Sequence, residues 1–202
     1  MSNSLVLNYS LLNDNKHRLN KWKNDPINWK KYKKFSNGSY SERQLLYRMP
    51  LELGKGNYAD VGVLYGQSSA CMIHGIVDSK QKSVLYSVDL FTKESKNTPE
   101  ILLKYVKENN LNIDIKFCKG DSSEIGNGLN EIFNFVFIDA DHCYRKCKHD
   151  WESWSNLVKI GGRIAFHDCH VLDVDKVINE INYNEWKFID HIYSTKIFER
   201  IR

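Results

Sequence analysis

An open, doubly wound α/β sheet with helices on both faces is the architecture predicted for this chain, and three observations predict it. Short apolar runs alternate with longer amphipathic segments from about residue 58 onward, the pattern of βαβ units around a parallel sheet. One run, Asn134–Ile138 (NFVFI), is apolar on both faces, as a central strand covered from both sides must be. An acidic residue and two spaced glycines (Asp60, Gly62, Gly66) close the first run, where a strand must turn tightly into a helix.

In chain order, Tyr58–Val63 reads as the first strand and Ser68–Val77 as the helix after it. Ser83–Val88 is the second strand, followed by a helix from about Pro99 to Asn109. The proline suits that helix start, because its missing N–H would have no partner in a first turn. Ile113–Phe117 is the third strand, Ser122–Ile132 a short helix and Asn134–Ile138 the fourth strand. Tyr144, Cys147, Trp151, Trp154 and Leu157 then recur at helical spacing. Gly161-Gly162 ends the approach to a fifth strand, Arg163–Phe166. A helix near Asp173–Ile181 and two terminal strands, Trp186–Ile189 and Thr195–Phe198, complete the series.

The first 40 residues read differently from residues 41–202. Lys16 to Lys34 runs KHRLNKWKNDPINWKKYKK, with Trp22, Trp29 and Tyr32 among the lysines, and Ser36-Asn37-Gly38-Ser39 forms a turn-rich break behind it. Three roles fit: a solvated segment packing its aromatics on the main body, a lid over a small-molecule site, or a flap that meets RNA through phosphate attraction and base stacking.

Composition narrows the class. With 202 residues, 42% hydrophobic and 27% charged, the chain suits one domain with a sizeable core and is neither disordered nor fibrous. No apolar run approaches the roughly 20 residues of a membrane helix. The opening MSNSLVLNYS lacks the features of an export signal. Five cysteines form an odd set that reads as reduced thiols, so a cytoplasmic protein is expected. A net charge of +4 is far from that of a dedicated nucleic-acid binder.

Ligands of such sheets bind beyond the carboxyl ends of the strands, so chemistry is expected there. After Gly62, a dinucleotide fingerprint requires glycine where Leu64 and Gln67 stand, which argues against NAD. S-adenosylmethionine has no pyrophosphate but carries an ammonium and a sulfonium. Asp60 can attract that cationic end while Gly62 and Gly66 let the backbone approach it, although any tight strand-to-helix turn uses such glycines. Asp89 ends the second strand in LYSVDLF, placed to accept from both ribose hydroxyls. Asp121 follows the third strand, placed for the adenine amino group, and Ser122 is placed to cap the next helix. Both acids also suit plain turn or cap roles.

The stretches YADVGVLYGQSS, LYSVDLF, GDSSEI, FVFIDADHCY and GGRIAFHD resemble class I S-adenosylmethionine-dependent methyltransferases, and more narrowly the methyltransferase-24 type related to small-molecule O-methyltransferases. The resemblance spans about Tyr58 to Asp168. It implies a Rossmann-like, mostly parallel seven-stranded sheet with an antiparallel last strand, making residues 41–202 the methyltransferase domain. It also implies cofactor contacts by Asp60, Gly62, Gly66, Ser68, Asp89, Asp121 and Asp139.

Adjacent strand ends are expected to bring Asp139, His167 and Asp168 around one cavity. Similar O-methyltransferases hold a divalent cation there, Mg²⁺ or Mn²⁺, to lower the pKa of a substrate hydroxyl. His167 stands where those relatives often carry an acid, which shifts the preference toward transition metals or leaves the site metal-free. His142, beside Asp139, is the general-base candidate, with a structural helix cap as its alternative. A zinc site from Cys143, Cys147, Cys169 and His170 is disfavoured against buried thiols. The expected reaction is methyl transfer to a hydroxyl of a small molecule or sugar. RNA ribose or cap methylation, or a non-catalytic cofactor-binding scaffold, are the alternatives. Base-amino methylation is disfavoured, because the slot of its Asp/Asn-Pro-Pro-Tyr element reads IDADHCY.

Overall fold

The computed structural model describes residues 40–202, so the basic stretch Lys16–Lys34 lies outside the described residues. The elements, in order, are α1 (Tyr40–Leu53), β1 (Asn57–Val61), α2 (Gln67–Asp78), β2 (Val84–Asp89), α3 (Thr98–Glu108), β3 (Asp114–Lys119), α4 (Ser122–Gly128), β4 (Phe133–Ile138), α5 (Tyr144–Ser155), β5 (Val158–Phe166), α6 (Leu172–Asn179), β6 (Trp186–Ile192) and β7 (Thr195–Arg200). They build one seven-stranded sheet in the order β3-β2-β1-β4-β5-β7-β6. The β1–β2, β1–β4, β2–β3 and β4–β5 pairs are parallel. Only β7 is reversed, pairing antiparallel with both β5 and β6. The order reverses between β1 and β4, which puts a crevice at their carboxyl ends.

Side chains along a strand alternate between faces. Ala59, Val61, Tyr86, Val88, Val136, Ile138, Ile164 and Phe166 therefore share one face and form a core with Cys147, Trp151 and Trp154 of α5 and Val174, Val177 and Ile178 of α6. Trp154 is fully buried and meets Phe133 edge-on at 5.5 Å between ring centroids. Complete burial of one such side chain contributes roughly 1.5–3 kcal/mol, so this contact anchors α5 firmly. Tyr58, Leu85, Phe135, Phe137 and Ala165 take the alternate positions and are also buried. Over β1, Asp60 of that set bonds the serines that open α2. Behind α2, α1 crosses closely at Gly75, where a Cβ would fall 2.2 Å from the Tyr47 carbonyl.

Several boundaries differ from the sequence expectation. Helix α1 was not anticipated: its Pro50 interrupts the pattern, yet Leu45, Leu46, Tyr47 and Met49 are all buried. β1 stops at Val61 rather than Val63, because Gly62 leaves the strand with φ +97°. α4 ends at Gly128 rather than Ile132, its last turn closed by Leu129 N–H on the Gly126 carbonyl at 3.3 Å. β5 begins at Val158 rather than Arg163, so Gly161-Gly162 lies inside the strand. The pairing with β4 shifts register between Phe133 and Phe135, and a Cβ on Gly162 would fall 2.9 Å from the Lys159 carbonyl. The glycines absorb a bulge instead of ending the approach.

Candidate active site

β4 and β5 run parallel with Ile138 opposite Phe166, so the residues following them emerge side by side. Asp139 follows β4, His142 lies three residues on, and His167-Asp168 follow β5. One ligand atom from each of these four residues lies within 4.8 Å of the others. His167 Nδ1 is 3.0 Å from Asp139 Oδ1 and 3.4 Å from Asp168 Oδ2. His142 Nε2 is 2.9 Å from Asp168 Oδ2 and 3.8 Å from Asp139 Oδ1. Both ring nitrogens are shielded from water, yet neither makes a well-aligned hydrogen bond. Asp168 is held in the left-handed region at φ +50°, where its carbonyl accepts from Val171 N–H at 2.8 Å.

Charge is concentrated here. Burial raises the Asp139 carboxyl above its ordinary value, with His167 opposing. Burial alone would lower His167, but the Asp139, Asp168 and Glu42 carboxylates outweigh it and push the imidazole up to about 9. A small cavity opens beside the cluster, lined among others by Asp141, His142, Cys147, His167 and Val174.

The turn after β1 is organised from within. Asp60, expected to face a ligand's cationic end, is fully buried, and one of its oxygens accepts from the Ser68 hydroxyl at 2.7 Å and from Ser69. Burial raises its carboxyl to about 7. Asp60 thus ties the turn together from within while its other oxygen is buried without a hydrogen-bond partner, and Ser68 is half-buried beside it. Gly62 has φ +97°, and a Cβ there would lie 2.1 Å from the Asp139 carbonyl, so the glycine lets β1 and β4 pinch together. Gly66, at φ +80°, starts α2 and presses on Leu102. Asp89 reaches across to this turn, accepting from Leu64 N–H at 3.0 Å, Phe91 N–H at 2.8 Å and the Ser95 hydroxyl at 2.7 Å.

Beyond β3 the capping role is exchanged. Asp121, not Ser122, caps α4, accepting from Ser123 N–H at 3.1 Å and Glu124 N–H at 3.4 Å. Its other oxygen takes the Lys146 ammonium at 2.6 Å, and this bond and the Ser123 hydroxyl hold its carboxyl well below the usual carboxylate range. Ser122 instead donates to Asp150, a buried acid of α5.

Two side chains at the site were missed by sequence reasoning. Glu42 of α1 is buried, and its Oε1 accepts from Ser194 N–H at 3.1 Å, Ser194 Oγ at 2.6 Å and Thr195 Oγ1 at 2.8 Å. Ser194 Oγ is 3.2 Å from His167 Nε2. No motif marks either residue. Of the cysteines, Cys147 lines the neighbouring cavity, buried and with its thiol pushed up to about 12, and Cys169 Sγ faces His191 Nε2 at 3.3 Å. Among the described residues, no metal-holding group includes a cysteine.

Comparison with known families places this geometry. The family model of a methyltransferase domain, methyltransferase 24, matches residues 59–169, more than half of the chain. The chain belongs to the methyltransferase-24 family. It is thereby a class I S-adenosylmethionine-dependent methyltransferase. No curated protein matches this methyltransferase by sequence. Among solved structures it is similar to the SAH-bound Podospora anserina methyltransferase PaMTH1, at 12% identity over 100% of both chains with a TM-score of 0.66. It is also similar to the O-methyltransferase TomG from Streptomyces achromogenes in complex with SAM, at 12% identity over 81% of each chain and a TM-score of 0.61. An rRNA methylase from Streptococcus thermophilus is similar at 9% identity, covering 78% of this chain and 95% of its own, with a TM-score of 0.59. At such identities the likeness is one of fold. No helix among the described residues of the methyltransferase is long and apolar enough to cross a membrane.

Proposed function

We propose that this methyltransferase carries the methyl group of S-adenosylmethionine to a hydroxyl of a small molecule or sugar. The observation behind the reading is the Asp139–His142–His167–Asp168 cluster, two carboxylates and two imidazoles gathered at the ends of β4 and β5, beside the Gly62 turn. The O-methyltransferase among the structural neighbours supports the same reading.

The residues fit a divalent cation. Two shielded imidazole nitrogens lack aligned hydrogen bonds and face two carboxylates, a mixed nitrogen and oxygen set that suits Mn²⁺ or another transition ion better than Mg²⁺. Asp139, His167 and Asp168 would hold the ion. His142 is the outermost member, its side chain 40% exposed against 17% for His167. It is therefore the group placed to meet an acceptor and take its hydroxyl proton, with Asp168 at 2.9 Å stabilising the imidazolium that results. S-adenosylmethionine supplies an activated methyl electrophile, and a bound divalent ion would lower the pKa of the acceptor hydroxyl.

The strand tips would hold the cofactor. Gly62 and Gly66 keep the turn open to close approach, and Asp60 and Ser68 stiffen it from behind. Asp89 would take the ribose hydroxyls and Asp121 the adenine amino group, since carboxylate oxygens retain lone pairs beyond the bonds they make within the chain. The remaining work is to align the acceptor oxygen behind the methyl group, where proximity and orientation carry most of the barrier reduction.

The test is transfer of radiolabelled methyl to a panel of phenols, catechols and sugars, with a ribosomal RNA transcript as a separate arm. Transfer to small hydroxyl compounds, lost with EDTA and restored by Mn²⁺, is expected. Transfer confined to RNA, steeply salt-dependent and abolished by neutralising Lys30, Lys31, Lys33 and Lys34, would establish the RNA reading in its place.

A further inference from the structure

We propose that Glu42, acting through Ser194, is a positioning residue that fixes the His167 ring so that Nδ1 faces the Asp139–Asp168 pair as a cation ligand. This rests on the cation reading above and adds to it a device carried by an element outside the strand ends.

The direction of the hydrogen bonds carries the inference. Three donors, Ser194 N–H, Ser194 Oγ and Thr195 Oγ1, converge on Glu42 Oε1 at 3.1, 2.6 and 2.8 Å, so this oxygen acts as acceptor to all three. Ser194 Oγ has one proton and gives it to Glu42. It can then only accept from His167 Nε2, 3.2 Å away, which requires the proton on Nε2. Glu42 Oε1 itself lies 3.5 Å from the same nitrogen and reinforces that choice.

The opposite edge of the ring follows. With Nε2 committed to the Ser194 side, Nδ1 is the nitrogen turned toward Asp139 Oδ1 at 3.0 Å and Asp168 Oδ2 at 3.4 Å. Two carboxylates this close to Nδ1 call for positive charge between them, which a bound divalent cation would supply in place of a proton. Nδ1 is shielded from water and without an aligned hydrogen bond, as an atom kept for a ligand would be. A ligating histidine commonly has its second nitrogen tied to a carboxylate, directly or through a hydroxyl, and that tie sets ring orientation.

The relay is mechanically well supported. Glu42 is 3% exposed in α1, and Ser194 sits at the β6–β7 hairpin, whose Ser194 carbonyl accepts from Cys169 N–H at 2.9 Å. The hairpin is thus latched to the segment just past His167-Asp168. The ring is clamped on a further side by Phe137, edge-on at 5.9 Å.

Mn²⁺ binding, followed by electron paramagnetic resonance of the free ion, reads the proposal in the full chain without turnover. Glu42→Gln keeps the side-chain shape and removes the carboxylate. Ser194→Ala removes only the hydroxyl and keeps the backbone N–H on Glu42, so it serves where the buried glutamate variant folds poorly. Both are expected to weaken Mn²⁺ binding by about 10- to 100-fold, with calorimetric affinity for S-adenosylhomocysteine unchanged. Wild-type Mn²⁺ affinity in both folded variants overturns the positioning role and leaves the cation reading standing. Equal loss of Mn²⁺ and S-adenosylhomocysteine binding marks general damage and also overturns it. A wild-type chain that takes up neither Mn²⁺ nor Zn²⁺ sinks the cation reading and this proposal together.

Discussion

His142 illustrates how a residue's neighbours assign its work. Its Nε2 stands 2.9 Å from one carboxylate oxygen, while its side chain is 40% exposed at the mouth of the cluster. A base in that position needs both access to the acceptor and a counter-charge for the proton it gains. His142→Gln is expected to lower the methyl-transfer rate by about 10²–10⁴-fold while affinity for S-adenosylhomocysteine stays as in the wild type. An unchanged rate constant in a single-turnover assay would move the base elsewhere. Asp139, His142, His167 and Asp168 were legible in the sequence because each follows an apolar run that had to be a strand. Glu42 was not, since it lies 152 positions from Ser194 and no local pattern links them. The roles of Asp121 and Ser122 were exchanged for a similar reason: both can cap a helix, and the contact with Asp150 of α5 decided which does.

Among the elements, the turn after β1 is the most constrained. Gly62 combines a left-handed φ of +97° with a Cβ position 2.1 Å from the carbonyl of Asp139, a residue whose N–H is bonded to the Val61 carbonyl of β1 at 2.8 Å. Gly62→Ala is therefore expected to destabilise the chain by several kcal/mol, or to leave it insoluble, through strain and overpacking together. A urea midpoint within error of the wild type would show that the pinch between β1 and β4 is not needed. Strand and helix identities after residue 57 followed from hydrophobic period, and their ends did not. β5 continues through two glycines because tertiary pairing with β4 tolerates a bulge, whereas a sequence reading treats Gly-Gly as a break. Helix α1 escaped notice because Pro50 obscures its apolar face, which only the packing against α2 reveals.

For the molecule as a whole, buried acids link stability to pH. Asp150 is 1% exposed, its Oδ2 has no hydrogen-bond partner, and burial raises its carboxyl from 3.8 to about 6. A raised folded-state pKa means that the folded chain binds the proton more tightly than the unfolded chain. Its contribution is complete below the unfolded pKa and lost as pH rises toward the folded one. Relative to Asp150→Asn, which keeps an acceptor for Ser122, the wild type should lose roughly 1.4 kcal/mol of unfolding free energy per pH unit between about 4 and 6. Parallel urea-stability curves for the two proteins across that range would refute it.

The chain's own order of residues settled what is local or periodic: an α/β sheet with its acids and histidines at strand ends, and a glycine turn unsuited to a dinucleotide. These follow from side-chain period and from the geometry each residue type permits, which neighbouring positions suffice to express. Packing settled which carboxylate is buried, which caps, and which ring nitrogen faces the cluster. Those outcomes depend on atoms brought within a few ångströms from distant parts of the chain, and a hydrogen bond has a direction only once both partners are in place.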